Sequence, residues 1–454
     1  SAGSADDPAG KEGLAALSAA LVAHGGSRKQ SIDEIQKVYY PMAASFTEQV
    51  DKEVTTFTGT VHRDNWQRFL ATALPMLVTP GLREPDFRRL RDAQLNALNV
   101  DLKSNNEEEL AKERLQANLF AGTPYGHPVL GGARALAAMT PDDVRDFQAR
   151  AYTRGALRLA IAGDVRDEDI AALKQALAAL PDGPGLPAHA RVQARMPQAL
   201  EVEIVQKETR ATAISLGIPI EVTRKHPDYA ALWVARTWLG EHRSSMSHLY
   251  QRIREIRGMN YGDYAYIEAF PRGMFQFFPD PGLDRQAQLF EIWIRPVAPQ
   301  NAQMALRIAL SELAGLVEHG LDAAQFESTR DYLSKNVALM TATQGQRLGY
   351  GLDSQWYGMP EYTAAMRAAL ARLTVDDVNR AIRRHIDPHR MSVVAITRDA
   401  AGLRDTLLAD AFSPMHYDGA KPAELLEEDQ RIGAMRLGLQ PGAVRVTPAA
   451  EVFE

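Results

Sequence analysis

Met139-Thr140-Pro141-Asp142-Asp143-Val144 is answered 234 positions later by Leu373-Thr374-Val375-Asp376-Asp377-Val378. In both copies a threonine precedes an acid-rich turn. That is the chemistry of a helix start: the hydroxyl accepts an orphan backbone N–H, and the acids favour the positive end of the dipole. Each helix leads to a short apolar stretch that reads as a strand, 157–162 in the first copy and 391–396 in the second. Four identities in six positions alone are weak, but the match continues through helix and strand at nearly constant offset. A duplicated α+β domain of roughly two hundred residues is expected.

Between the copies lies Pro181-Asp182-Gly183-Pro184-Gly185-Leu186-Pro187, followed by a basic stretch to Pro197. This is linker chemistry. The expected division is a first domain at 1–180, a linker at 181–198, a second domain at 199–412 and a tail at 413–454. The tail is rich in Pro, Glu and Gly and should wrap the body. The expected fold is α+β: two homologous domains, each a mainly antiparallel sheet with helices packed on one side. Strands are predicted at 54–61, 201–205 and 211–218 by alternation and β-rich composition. Helices are predicted at 12–23, 85–102, 107–119, 229–239, 246–256 and 302–318.

Composition removes several classes of function. A chain of 454 residues exceeds one core. A net charge of −6 leaves no basic footprint for nucleic acid. Cysteine is absent, which excludes disulfides, thiolate nucleophiles and Cys-ligated zinc. No apolar run reaches the length of a membrane span. Ser1 follows no methionine and no basic-then-apolar leader, so a leader is expected to be already removed or to lie outside this sequence.

One segment suggests chemistry. Residues 251–266 read Gln-Arg-Ile-Arg-Glu-Ile-Arg-Gly-Met-Asn-Tyr-Gly-Asp-Tyr-Ala-Tyr. An amphipathic helix stops at Gly258 and a tyrosine-rich strand follows. Arg254 falls in the last turn and Tyr261 at the mouth of the strand. A guanidinium and a phenol at such a junction can both donate hydrogen bonds to one carbonyl or oxyanion. Structure alone also accounts for them, since a cation suits the helix end and tyrosines suit strands.

Other constellations are bland. His385 and His389 have chelating i, i+4 spacing, but Pro388 stands between them and blocks a shared helix. His242 and His248 share no helical face, and His24 before Gly25-Gly26 reads as a helix end. Glu107, Glu108 and Glu109 open a helix, where acids belong. Gly131-Gly132 is a lone pair that fits no dinucleotide fingerprint, and no nucleophile elbow occurs.

With these features together the chain resembles the insulinase-like (pitrilysin) metallopeptidases along nearly its whole length. Ala2-Gly3-Ser4-Ala5-Asp6 followed by Gly13-Leu14-Ala15 is similar to the approach to the family's zinc helix. Pro124-Tyr125-Gly126-His127-Pro128-Val129-Leu130-Gly131 is similar to the loop after its second long helix, and Ala162-Gly163-Asp164-Val165 to its last strand in the first half. Catalytic members continue with H-x-x-E-H, two zinc ligands around a water-activating glutamate. Here the window is Ala16-Leu17-Ser18-Ala19-Ala20, so Ala16, Ala19 and Ala20 stand at the three chemical positions. The family's distal glutamate ligand falls near Ala97, also apolar. The resemblance implies no metal and no cofactor in this chain.

Arg254 and Tyr261 match a pair that, in this family, holds the scissile carbonyl from the second domain. The resemblance therefore implies the non-catalytic, substrate-binding subunit of a heterodimeric zinc metallopeptidase, inactive alone. It would pair with a homologous catalytic subunit that carries H-x-x-E-H and the zinc. It also suggests an extracytoplasmic location and strands upstream of Ala2. The alternatives are a purely structural, core-type scaffold subunit, or an independent enzyme with an unrecognised site.

Overall fold

Residues 212–220 and 392–397 are apolar at most positions, the pattern of strands covered on both faces. The computed structural model describes residues 1–189 and 191–454, so Ala190 of the expected linker lies outside the described residues. Two sheets form. Strands β1 (Ser45–Val50) and β2 (Thr55–Thr60) make an antiparallel hairpin in the first half. The second half builds a six-stranded sheet from β3 (Glu201–Gln206), β4 (Thr212–Ile220), β5 (Asp263–Tyr266), β6 (Gln288–Val297), β7 (Ser392–Thr397) and β8 (Val444–Pro448). Their spatial order is β5-β6-β4-β7-β3-β8. Strand β4 runs antiparallel to β6 and β7, β5 antiparallel to β6, and β3 parallel to β7 and β8.

The period-two alternation of this sheet joins the halves. Val202, Ile204, Ile214, Leu216, Ile218, Val393 and Ala395 point into a core shared with helices Tyr229–Gly240, Ala302–His319 and Val375–His385. The intervening residues Val205, Ala213, Val394 and Ile396 point the other way. They meet Leu110, Ala111, Leu115 and Leu119 of helix Glu107–Leu119 from the first half. A helix of one half thus closes the sheet of the other. Gly217 allows the approach: a Cβ there would lie 2.5 Å from the Phe290 carbonyl oxygen and 3.3 Å from Leu115.

Glu203 sits on this inter-half face, buried, and gathers four donors. Arg114 donates twice at 2.9 Å, Asn118 at 2.5 Å, Arg445 at 2.8 Å and Thr447 at 2.7 Å. Burial alone would raise its carboxyl. Donation from Arg114 and Arg445, with Asn118, outweighs burial and pulls it down to about 2. A depressed carboxyl stabilises the fold above its unfolded value near 4.5, and that contribution is lost as pH falls towards 2. The loss is on the order of 3 kcal/mol. Glu203→Gln should therefore flatten the acid limb of a urea-stability versus pH curve between those values.

Both threonine-capped repeat helices form as expected, Pro141–Ala151 and Val375–His385, each with a complete capping box. The second leads into β7. The first does not lead into a strand: 157–162 carries no ladder, and its apolar residues are part-exposed, with Leu159 51% accessible. Strand formation needs a paired neighbour, and none of the described residues supplies one there. The expected helix at 85–102 is an α-helix only over Glu84–Asn96 and continues as a π-helix over Ala97–Ser104. The tail crosses from one half to the other. Helix Ala423–Gly433 lies on the second half, β8 extends its sheet, and Val452 is buried in the core of the first half. No helix among the described residues is long and apolar enough to cross a membrane.

Candidate functional site

The segment after residue 246 is wound more loosely than expected. Tyr250–Glu255 is a π-helix, a form frequent at functional sites. Leu249 and Ile253 anchor it in the core. Gly258 takes φ +66°, and its N–H closes on the Arg254 carbonyl at 2.8 Å. The segment's arginines have different fates. Arg252 donates to Glu312 at 2.6 Å and pairs with Glu428. Arg257, fully buried, donates to Asp429 and Glu428 at 2.8 Å each and to the Arg252 carbonyl at 2.7 Å. Glu428 and Asp429 belong to the tail helix Ala423–Gly433. The tail therefore clamps the π-helix from outside. Arg254 is not clamped. Among the described residues it pairs only with its neighbour Glu255, and it lies over the Tyr250 ring at 5.1 Å, with 36% of its side chain accessible.

Tyr261 follows on a braced turn. Asn260 donates to Asp263 at 2.8 Å and to the Arg295 carbonyl at 3.0 Å, and accepts from the Gly262 N–H at 3.2 Å. Gly262 has φ +151°, and a Cβ there would lie 2.4 Å from the Tyr264 hydroxyl. Only glycine fits this turn without displacing that ring. Behind it stands an aromatic wall of Tyr264, Tyr266, Phe270 and Trp293. His242 bonds the Tyr266 hydroxyl at 2.8 Å, and burial pushes its imidazole down to about 4, so it is neutral at pH 7. Tyr261 is 76% accessible, and its hydroxyl has no hydrogen-bond partner among the described residues. The junction thus presents one guanidinium and one phenol on a rigid backbone, each open to an incoming acceptor.

The alanine window lies in the first half. Helix Leu14–His24 carries Ala16, Ala19 and Ala20, with Ala19 fully buried. It packs on helix Glu84–Asn96, which leads to Ala97. Four methyl groups offer zinc no donor, and the residues present do not fit the metal. The surroundings are nonetheless built. Asp7 accepts from the Gly13 and Ala15 N–H groups at 2.7 Å. Gln94 donates to the Gly13 and Leu130 carbonyls at 3.0 and 2.9 Å. Gly131 lies so close to Glu12 that a Cβ would fall 2.0 Å from its carbonyl oxygen. Ser4 donates to the Asp51 carbonyl at 2.9 Å, and Tyr125 bonds Glu53. Two of the segments that carried the family resemblance, 2–6 and 124–131, therefore assemble around the start of this one helix.

The remaining sequence candidates fall where structure uses them. Glu107 pairs with Lys207, Glu108 with Arg295 and Glu109 with Lys112. His24 ends its helix, and its Nε2 lies 2.9 Å from a Glu48 carboxylate oxygen. His385 closes helix Val375–His385 and His389 lies beyond it in a 3-10 turn, so the two share no helix. Sequence reasoning missed a different grouping. Among the described residues His226, Asp228 and His385 bring their ligand atoms within 4.8 Å of one another. Nothing in the spacing signals this, because 157 positions separate Asp228 from His385.

Comparison with known proteins places this geometry. The family model described as insulinase (peptidase family M16) matches residues 1–133, and that described as the peptidase M16 inactive domain matches 138–333. An uncharacterised zinc protease of Streptomyces coelicolor is 26% identical over 385 residues, 82% of this chain and 78% of that protein. A non-peptidase homologue of Helicobacter pylori is 20% identical over 329 residues, 71% of this chain and 70% of that protein. The solved peptidase M16 inactive domain of Pseudomonas fluorescens superposes with a TM-score of 0.74 at 22% identity, over 87% of this chain and 90% of that one. The periplasmic protease PqqL of Escherichia coli gives 0.66 at 15% identity, over 98% of this chain and 48% of that one, a likeness of fold. Two consecutive models of one family, in the order the folded halves follow, establish that this chain belongs to the insulinase-like family of peptidases, M16.

Proposed function

We propose that this chain is the non-catalytic, substrate-holding subunit of a two-chain zinc metallopeptidase. One contrast carries the reading. The helix that would hold zinc offers alanines at Ala16, Ala19 and Ala20, while the Arg254/Tyr261 junction is braced, accessible and, among the described residues, free of any distant side-chain partner. When a peptide carbonyl is attacked at a metal on the partner, its oxygen gains negative charge. Arg254 and Tyr261 would donate to that oxygen from a backbone already fixed by Arg252, Arg257 and Gly262, so little reorganisation is needed as the charge develops. The partner is a homologous chain with H-x-x-E-H, and the substrate a peptide.

Photo-crosslinking tests the placement. With benzoylphenylalanine in place of Tyr261, and the partner's catalytic glutamate replaced by Gln, a bound peptide should become attached at position 261. Attachment of the partner alone, or none, contradicts it. The ion pair of Arg254 with Glu255 favours a second reading, a scaffold in which this arginine is idle. Purification within a large assembly that lacks any H-x-x-E-H chain would support that alternative.

A further inference from the structure

His226 and Asp228 immediately precede helix Tyr229–Gly240, and His385 is the last residue of helix Val375–His385. The two helices pack together, so the start of one meets the end of the other. There His385 Nε2 and Asp228 Oδ2 are 2.7 Å apart. The two imidazole rings stand perpendicular with centroids 5.5 Å apart. His226 Nδ1 accepts from the Asp228 N–H at 3.0 Å, which fixes its ring. An ion pair between helix ends explains His385 with Asp228, but it does not require His226.

We infer that His226, Asp228 and His385 form a zinc(II) site that ties these two helix ends, with the remaining coordination position left to water. Two imidazoles and one carboxylate are a borderline-soft donor set that suits Zn²⁺ and does not suit Mg²⁺ or Ca²⁺. Tetrahedral zinc at about 2.0–2.2 Å from each ligand sets the ligands about 3.3–3.5 Å apart. The three atoms already lie within 4.8 Å of one another, so small side-chain rotations suffice. The proton between His385 and Asp228 leaves to solvent. A cavity of about 490 Å³ lined by Arg384, His385 and His389 opens beside the cluster and gives the ion a route in. One group competes: Arg384 Nη1 lies 3.6 Å from Asp228 Oδ2, on a side chain 68% accessible that can swing away.

This site lies on helices of the second half, apart from the alanine helix of the first, and it is independent of the peptidase reading. The experiment is calorimetric titration of the tag-free, chelator-stripped full chain with ZnCl₂, with thermal unfolding followed alongside. One ion should bind per chain, with Kd near ~10 μM or tighter, and Tm should rise with zinc by mass action. His226→Asn and His385→Asn should each weaken binding by at least about tenfold. Their circular dichroism should remain that of the parent chain. Arg384→Ala, which leaves all three ligands intact, should bind zinc more tightly, and MgCl₂ should give no signal. Absence of zinc binding to the parent chain, or binding by both histidine variants as tight as that of the parent, overturns the assignment.

Discussion

Arg254→Ala should lower the activity of the proposed two-chain peptidase by about 100- to 1,000-fold, the usual cost of removing one preorganised oxyanion donor. The loss should fall on kcat, with KM little changed, because the contact strengthens as charge develops on the carbonyl. Tyr261→Phe removes only the hydroxyl of an exposed ring and should act in the same direction. The control is Arg252→Ala. That guanidinium is spent on Glu312 and Glu428, so its loss should first appear as weaker attachment of the tail helix and lower thermal stability. Steady-state kinetics of the reconstituted pair, with melting curves for each variant, separate the two classes. Equal activity in Arg254→Ala and the parent would remove the site.

The second large effect concerns the seam between the halves. Asp51 lies just beyond β1, and both its oxygens accept from Arg285, at 2.5 and 2.6 Å. Asp51 and Arg285 are 2% and 5% accessible. Asp51→Ala leaves a guanidinium buried without its counter-charge, which costs about 3–5 kcal/mol. Replacing both partners by apolar residues, as in Asp51→Leu with Arg285→Met, should recover most of that loss, since the pair gains little over a packed apolar contact. Urea denaturation of the two variants measures this. A loss below about 1 kcal/mol for Asp51→Ala would place the pair among ordinary exposed ion pairs.

How much of this was legible in the sequence depends on whether a signal is local. Helix Glu107–Leu119 was readable from its ends inward, because Asn106 caps it and acids fill its first turn. Strand β3 was readable from its period-two alternation, and β4 and β7 from their β-rich apolar runs. Residues 157–162 carry the same apolar pattern and form no strand, since a ladder is a property of two segments. The π-helical windings at Ala97–Ser104 and Tyr250–Glu255 leave no mark in the apolar spacing. At the site, the identities of Arg254 and Tyr261 and the alanines of the first helix were plain. That the tail would clamp Arg252 and Arg257, and so single out Arg254, was not, because Glu428 and Asp429 lie more than 170 positions away. Glu203 was hidden likewise: within β3 it reads as a polar residue facing solvent, and only the arrival of Arg114 and Arg445 makes it a hub.

The central claim is that this polypeptide grips a bond which chemistry on another polypeptide breaks. Purifying this chain and a homologous H-x-x-E-H chain separately, then assaying peptide cleavage before and after mixing, tests it most directly. Neither chain alone should reach the mixed rate, and replacing the partner's motif glutamate by Gln should abolish activity while complex formation persists. Cleavage by this chain in isolation, or a stoichiometric complex with such a partner that remains inert toward every peptide offered, would contradict the account.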